Sequence, residues 1–242
     1  MKTKRIFDRF RFIANLTEKE FDRNFELYPG QMQCRKGCFL CCTQMFRITL
    51  IDAAIVSKAI KKLDPEIRKK MQDKARGYLD KKEEMVRERA DEMNLDNESD
   101  EISTIGLRLP CPALDEKGAC GIYESRPIVC RKFGMPIYDP KKPEELQTCE
   151  LNFHEVKKID AEPLIENQMK IYNYWMELKT EVNETLNPDK RATTIAEAIL
   201  FDYEEMLELN LQKPINKIGG VHQRGRVSTF NFHFLLMSNV ET

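Results

Sequence analysis

Four of the eight cysteines, Cys34, Cys38, Cys41 and Cys42, fall within nine residues as C-x3-C-x2-C-C. No other feature constrains the fold so tightly. A turn short enough to carry this spacing points several sulfurs at one place, and converging thiolates need a cation to hold them together. Adjacent residues project their side chains in different directions, so Cys41 and Cys42 are not expected to serve one mononuclear ion equally. The pair implies two centres or one shared edge. Cys111, Cys120, Cys130 and Cys149 are spaced too widely for a single turn and must be gathered by the fold. Eight thiols suffice for two four-thiolate sites, and all eight are the expected metal ligands.

An even cysteine count in a secreted chain would suggest disulfides. The N-terminal MKTKRIFDRFRFIANL interleaves basic and aromatic residues, with neither an apolar run of signal-peptide length nor a small-residue cleavage site, so a helix is expected there and not an export signal. No stretch approaches the roughly 18 to 20 apolar residues of a membrane span. A soluble, cytoplasmic protein is therefore expected, in which clustered thiols stay reduced and bind metal or do redox chemistry. Buried thiols acting as small hydrophobes would explain one or two cysteines, but not this spacing. Lys and Arg (39) balance Asp and Glu (40), leaving no overall field to attract nucleic acid. At 242 residues the chain can also bury an ordinary core without a metal staple.

Ile6, Phe7, Phe10, Ile13 and Leu16 recur at helical intervals, and Thr17 with Glu20 has the form of a capping box starting a second helix that reaches about Leu27. Met45 to Ile48 is expected to be extended, and Thr49 to cap a helix running through Ile51, Ile55 and Ala59 toward Leu63. Pro65 suits the first position of a long charged helix whose buried stripe is Ile67, Met71, Ala75, Tyr78, Val86 and Met93. These two helices, within 50–94, are expected to pair as a hairpin, followed by an acidic exposed connector over 95–103. The block from Leu107 to Cys149 is rich in Pro and Gly and has only short apolar runs, so its order must come from ligation more than packing. Leu164 to Leu186 and Thr194 to Leu209 carry helical periodicity, with Trp175, Tyr172 and Tyr174 expected in the core. Phe230, Phe232 and Phe234 alternate like a short strand.

The residues beside the cysteines suit such a centre. Gly37, Gly118 and Gly121 allow positive φ or close backbone approach, which presents N–H groups to sulfur, and Pro112 stiffens the exit from Cys111. Four thiolates on one divalent ion leave a charge of about −2. Arg35, Lys36, Arg47, Arg108, Arg126, Arg131 and Lys132 are placed to offset it.

These motifs resemble those of the bacterial cysteine-cluster proteins, the CxxCxxCC or YkgJ-type family of zinc- or iron-chelating domains. The family's C-x2,3-C-x2-C-C opening is matched by Cys34, Cys38, Cys41 and Cys42. Its C-P-x-L…C-x-I-Y-x-x-R-P-x-x-C-R-x-F string is matched by CPALDEKGACGIYESRPIVCRKF, from Cys111 to Phe133, and Cys149 completes the eight. The resemblance covers about residues 30 to 150 and implies chelation of zinc or iron. A related cysteine module occurs in flagellin lysine methylases, which adds an enzymatic alternative by analogy only.

C-x3-C-x2-C is also the cluster motif of radical S-adenosylmethionine enzymes, but the alternating strand-helix units of their barrel are missing here, and Cys42 and the second block are foreign to it. Tyr123, Arg126 and Arg131 are read as scaffold before anion site, since Pro127 can start a helix carrying Cys130. His154 could replace a thiolate, though a surface histidine is the commoner outcome; His222 and His233 are weaker candidates. No nucleotide-binding glycine loop or G-x-S-x-G is present.

The expected fold is mainly α: N-terminal helices over 1–29, a cysteine-cluster metal-binding domain over 30–150 and a C-terminal helical region over 151–242, enclosing an irregular centre with short extended segments. The expected function is chelation of zinc or iron, including a 4Fe-4S cluster, through eight cysteines and without assured catalysis. The alternative is an iron-sulfur redox or modifying enzyme, for example one transferring methyl to a protein lysine. The expected partner is a metal ion, with any protein partner unidentified and neither nucleic acid nor a transmembrane segment involved.

Overall fold

The computed structural model describes residues 2–35, 37–92, 104, 106–139, 146–154, 159–186 and 192–212 and is mainly helical. The acidic connector, Met93, Lys36, the alternating phenylalanines, His222 and His233 lie outside the described residues. Among the described residues no helix is long and apolar enough to cross a membrane.

Helix α1 (Lys2–Leu27) is continuous, where the sequence suggested two helices. Thr17 does not cap: its hydroxyl donates to the Ile13 carbonyl at 2.9 Å, one turn back inside the helix. Glu20 is buried and accepts from Arg23 Nε at 2.8 Å, Asn24 Nδ2 at 2.8 Å and Asn167 Nδ2 at 3.0 Å. The capping signature therefore lies mid-helix, with Thr17 satisfied within the helix and Glu20 partly by Asn167 of a neighbouring one. α1 buries Ile6, Phe7, Phe10, Ile13 and Ala14 along one stripe.

Thr49 caps α2 (Leu50–Lys61) through a reciprocal capping box with Asp52. α2 buries Leu50, Ile51, Ala53, Ala54, Ile55, Val56 and Ile60, nearly its whole circumference. It must be covered on several sides. Asp64 Oδ1 accepts the Glu66 N–H at 2.9 Å, and Pro65 opens α3 (Pro65–Glu92), which buries Met71, Ala75, Tyr78 and Ala90. Ile67, expected in that stripe, is 53% exposed, because it sits on the first turn before the helix reaches the body. α2 and α3 do not form the expected hairpin interface; both pack on α6 (Ile195–Leu200).

Helix α4 (Ile128–Lys132) carries Cys130, and β1 (Ile137–Tyr138) pairs antiparallel with β2 (Leu146–Gln147), Ile137 opposite Gln147. α5 (Glu162–Leu186) packs along α1, with Trp175 edge-on to Phe10 at 6.1 Å between ring centres. Arg5 and Arg9 pair with Glu181 across the same seam. Trp175 is buried, but Tyr172 is 43% exposed and outside the core. The periodic stretch after Thr194 divides into α6 and α7 (Tyr203–Gln212). Ser57 of α2 makes the break possible: its hydroxyl lies 2.9 Å from the carbonyls of Ala198 and Phe201 and 3.2 Å from the Tyr203 N–H, serving groups a continuous helix would have paired internally.

Two hydrophobic clusters result among the described residues. The main core joins α1, α2, α3, α4, α5, α6 and α7, and Cys111, Cys120 and Cys130 pack against it. A separate small cluster consists of Met32, Met135 and Phe153, flanked by Phe21, Tyr28, Ile137 and Ile159.

Candidate metal centre

The first cysteine block is a run of tight turns. Cys38 N–H donates to the Arg35 carbonyl at 2.9 Å and Cys42 N–H to the Phe39 carbonyl at 2.8 Å, leading into a 3-10 turn over Leu40–Thr43 that bears Cys41 and Cys42. Gly37, inside the first of these turns, has φ 91°, a conformation glycine alone adopts at no cost. The sulfurs of Cys41 and Cys42 are 4.0 Å apart, so the tight turn brings together two adjacent side chains expected to diverge. The edge of a four-thiolate tetrahedron with bonds of about 2.3 Å is about 3.8 Å.

Backbone pairing brings the second block alongside the first. Leu109 N–H donates to the Thr43 carbonyl and Cys111 N–H to the Cys42 carbonyl, each at 2.7 Å, and Gln44 and Arg108 form a bridge. A compact loop then returns Cys120 toward Cys111: Leu114 bridges Cys120, Asp115 Oδ1 accepts the N–H groups of Lys117 and Ala119 at 2.8 Å, and Gly121 N–H donates to the Ala113 carbonyl. Gly118 has φ 78°, and a Cβ there would lie 2.8 Å from the Phe39 ring. Gly121 thus serves the backbone and not a sulfur, contrary to expectation. The sulfur donors are instead the amides of Ala113 to Cys111, Ile122 to Cys120 and Leu151 to Cys149, each two residues beyond its cysteine. Such amide bonds stabilise a thiolate and orient it toward a metal.

Two buried polar side chains, overlooked in the sequence, hold the blocks in place. Asp52 ends the α2 cap and also receives the Ile128 N–H at 2.9 Å, fixing the start of the helix that carries Cys130. Burial pushes its carboxyl up, against the pull of the bonds from Ile128 and Thr49. Asn152 accepts from Gln33 N–H at 2.7 Å, donates to the Gly134 carbonyl and hydrogen-bonds Cys34. Gly134, at φ 103°, lies so close to the Cys34 sulfur that a Cβ would occupy the same space. The next residue after Asn152, Phe153, is held in the left-handed region at φ 59°, its N–H on the Gln31 carbonyl at 3.0 Å and its ring edge-on to Tyr28 at 5.3 Å. In sequence only spacing relative to the cysteines could have flagged these residues.

All eight cysteines are free; Cys149 is buried and the others half-buried. Burial, then repulsion from Cys149, pushes the Cys34 thiol up to about 11 despite its bond from Asn152. Burial takes Cys111 to about 12 and raises Cys120, Cys130 and Cys149. Cys41 is raised first by its hydrogen bond with Cys42 and then by burial. Cys111, Cys120 and Cys130 act on one another and feel Cys41, whereas Cys34 and Cys149 feel Cys38 and Cys41. A divalent cation would reverse this cost by drawing the protons off. Among the described residues, no three His, Cys, Asp or Glu side chains are grouped closely enough to hold an ion as they stand, so ligation requires the thiols to turn inward. Soft thiol donors with amide N–H support are the donor set that zinc and iron favour.

Of the basic residues expected around the thiols, Arg126 acts on Cys41 and Cys120 while it stacks on Tyr123 at 3.9 Å and pairs with Glu18. Arg131 is buried and bound to Glu18 and to the carbonyls of Glu124 and Arg126, a scaffold role. Arg108 pairs with Glu150 at 3.0 Å, and Arg47 reaches the Ala192 carbonyl. Pro127 is the residue before α4 and not its first. His154 is exposed.

A helical body carrying two cysteine blocks laced edge to edge defines a thiol-bearing, metal-chelating class of domain. The sequence from 33 to 154 matches the family CxxCxxCC, described as "Putative zinc- or iron-chelating domain", and the chain belongs to that family. No curated protein and no solved structure matches it.

Proposed function

We propose that this protein binds zinc or iron through its eight cysteines, as a structural or deliverable metal and without catalysis of its own. The main support is the pairing of Cys111 N–H with the Cys42 carbonyl at 2.7 Å, which sets two thiol blocks far apart in sequence beside each other. Three amide N–H groups at sulfur offset part of the burial that raises those thiols, and would support the thiolates once a cation drew the protons off. Residues 30–150 form the metal-binding unit, and its own helices α2, α3 and α4 share one core with the flanking helices.

Zinc would form closed four-thiolate sites; iron with inorganic sulfide would form a coloured, oxygen-sensitive cluster. Purification without oxygen followed by measurement of metal, sulfide and visible absorption decides between them. Zinc or iron bound at one or more equivalents is the expected result. A protein that takes up neither from either salt, and whose thiols are alkylated equally with and without metal, would overturn the proposal.

A further inference from the structure

Building on the metal-binding reading, we propose that Asn152 is a positioning residue of the centre: it seats the Cys34 thiol for ligation and ties the segments that carry Cys34, Cys130 and Cys149 into one frame.

Asn152 is 5% exposed, and its polar groups reach three segments. Oδ1 accepts the Gln33 N–H at 2.7 Å, directly before Cys34. Nδ2 donates to the carbonyl of Gly134, just past the helix of Cys130. The backbone N–H of Asn152 donates to the Cys149 carbonyl at 2.8 Å, closing the turn that starts at that cysteine. The remaining bond of the side chain goes to Cys34 itself. Position 152 must therefore supply one acceptor and two donors in a single plane, and an aspartate or leucine of similar size cannot do so.

The same three segments meet on an apolar side. Met32, Met135 and Phe153, the buried residues of the small cluster, are the sequence neighbours of Gln33, Gly134 and Asn152. So few apolar groups leave the junction dependent on its polar contacts. The Cys34 sulfur lies against the Gly134 backbone, where a Cβ would take its space, and among the other thiols Cys149 acts on it most. Glycine and the Asn152 amide thus fix the Cys34 sulfur in its seat. An N–H partner of this kind orients a ligating group, and its loss costs about 10–100-fold in metal affinity.

Zinc is the probe, added to the full chain after reduction. Asn152→Ala removes every bond of the side chain. Asn152→Asp keeps the volume and the acceptor for Gln33 but turns an oxygen toward the Gly134 carbonyl and the Cys34 sulfur, and it decides the matter where Asn152→Ala fails to fold. Both variants should bind zinc about tenfold or more weakly than the parent. Iodoacetamide labelling of the zinc-loaded chains, mapped by peptide, should modify Cys34 about tenfold or more faster in the variants, while Cys120, packed on the main core, keeps the parent's rate. Zinc affinity equal to the parent's, equal acceleration at Cys34 and Cys120, or a parent whose zinc leaves Cys34 unprotected would overturn the role of Asn152 while leaving metal binding intact. Absence of zinc and of iron from the unsubstituted chain would instead overturn the metal-binding reading itself.

Discussion

Replacing Asp52 tests whether the metal loops are held by the helical body. Its carboxylate receives three donors: Oδ1 takes Ile128 N–H at 2.9 Å, and Oδ2 takes the Thr49 hydroxyl at 2.7 Å and the Thr49 N–H at 3.2 Å. Asp52→Ala removes the capping box of α2, worth about 1 kcal/mol. It also strands the Ile128 N–H in the interior at a cost of about 1–3 kcal/mol. The sum is about 3 kcal/mol, which for a chain of this size corresponds to a fall of roughly 6–12 °C in melting temperature. Because Ile128 opens the helix carrying Cys130, zinc affinity should fall as well, about tenfold for each 1.4 kcal/mol lost from the fixed geometry. Asp52→Asn keeps one acceptor oxygen and should fall between the two. Asp64→Ala is the control: it removes the exposed acceptor for Glu66 and Ile67 N–H at the start of α3 and should leave zinc binding unchanged. Calorimetric melting with zinc titration reads both effects. An Asp52→Ala variant that melts within 2 °C of the parent, or loses no more affinity than Asp64→Ala, would refute the linkage (about 2 °C corresponds to about 0.5–1 kcal/mol).

Gly134→Ala places a Cβ on the Cys34 sulfur and demands φ near 103° from an L-residue, so about 2 kcal/mol of stability and the metal nearest Cys34 should be lost together; a melt and metal content matching the parent would contradict this. Zinc uptake near neutral pH should release about one proton per ligating thiol, because burial holds Cys34 and Cys111 at about 11 and 12, so affinity should rise with pH; proton release measured by calorimetry in buffers of different ionisation heat should be large. Burial opposes the Glu204 carboxylate, but Lys58 and Lys61 more than compensate and lower its pKa below the usual 4.5. Its contribution is therefore present above about pH 4.5 and lost as pH falls through the depressed value, and Glu204→Gln should flatten acid unfolding over that window.

The sequence determined the local features by itself. Thr49, Pro65 and Thr194 mark helix starts because a cap is a matter of three or four neighbouring residues. The cysteine spacing identified the chemistry because ligand type and turn length are local too. Tertiary structure decided whether such signals were used. Thr17 and Glu20 carry a capping pattern like that of Thr49 and Asp52, yet both are buried inside a helix, Thr17 on the Ile13 carbonyl and Glu20 against Asn167, and Ser57 divides α6 from α7 from a distant helix. The roles of Asp52, Gly134 and Asn152 were equally hidden, since each acts on a cysteine loop by way of a backbone group far away in sequence. The physical reason is that a thiol's identity is written at one position, whereas its neighbours, its burial and the amide pointed at its sulfur depend on which segments pack together. Only the folded chain places Cys111 against Cys42 and Cys34 against Gly134.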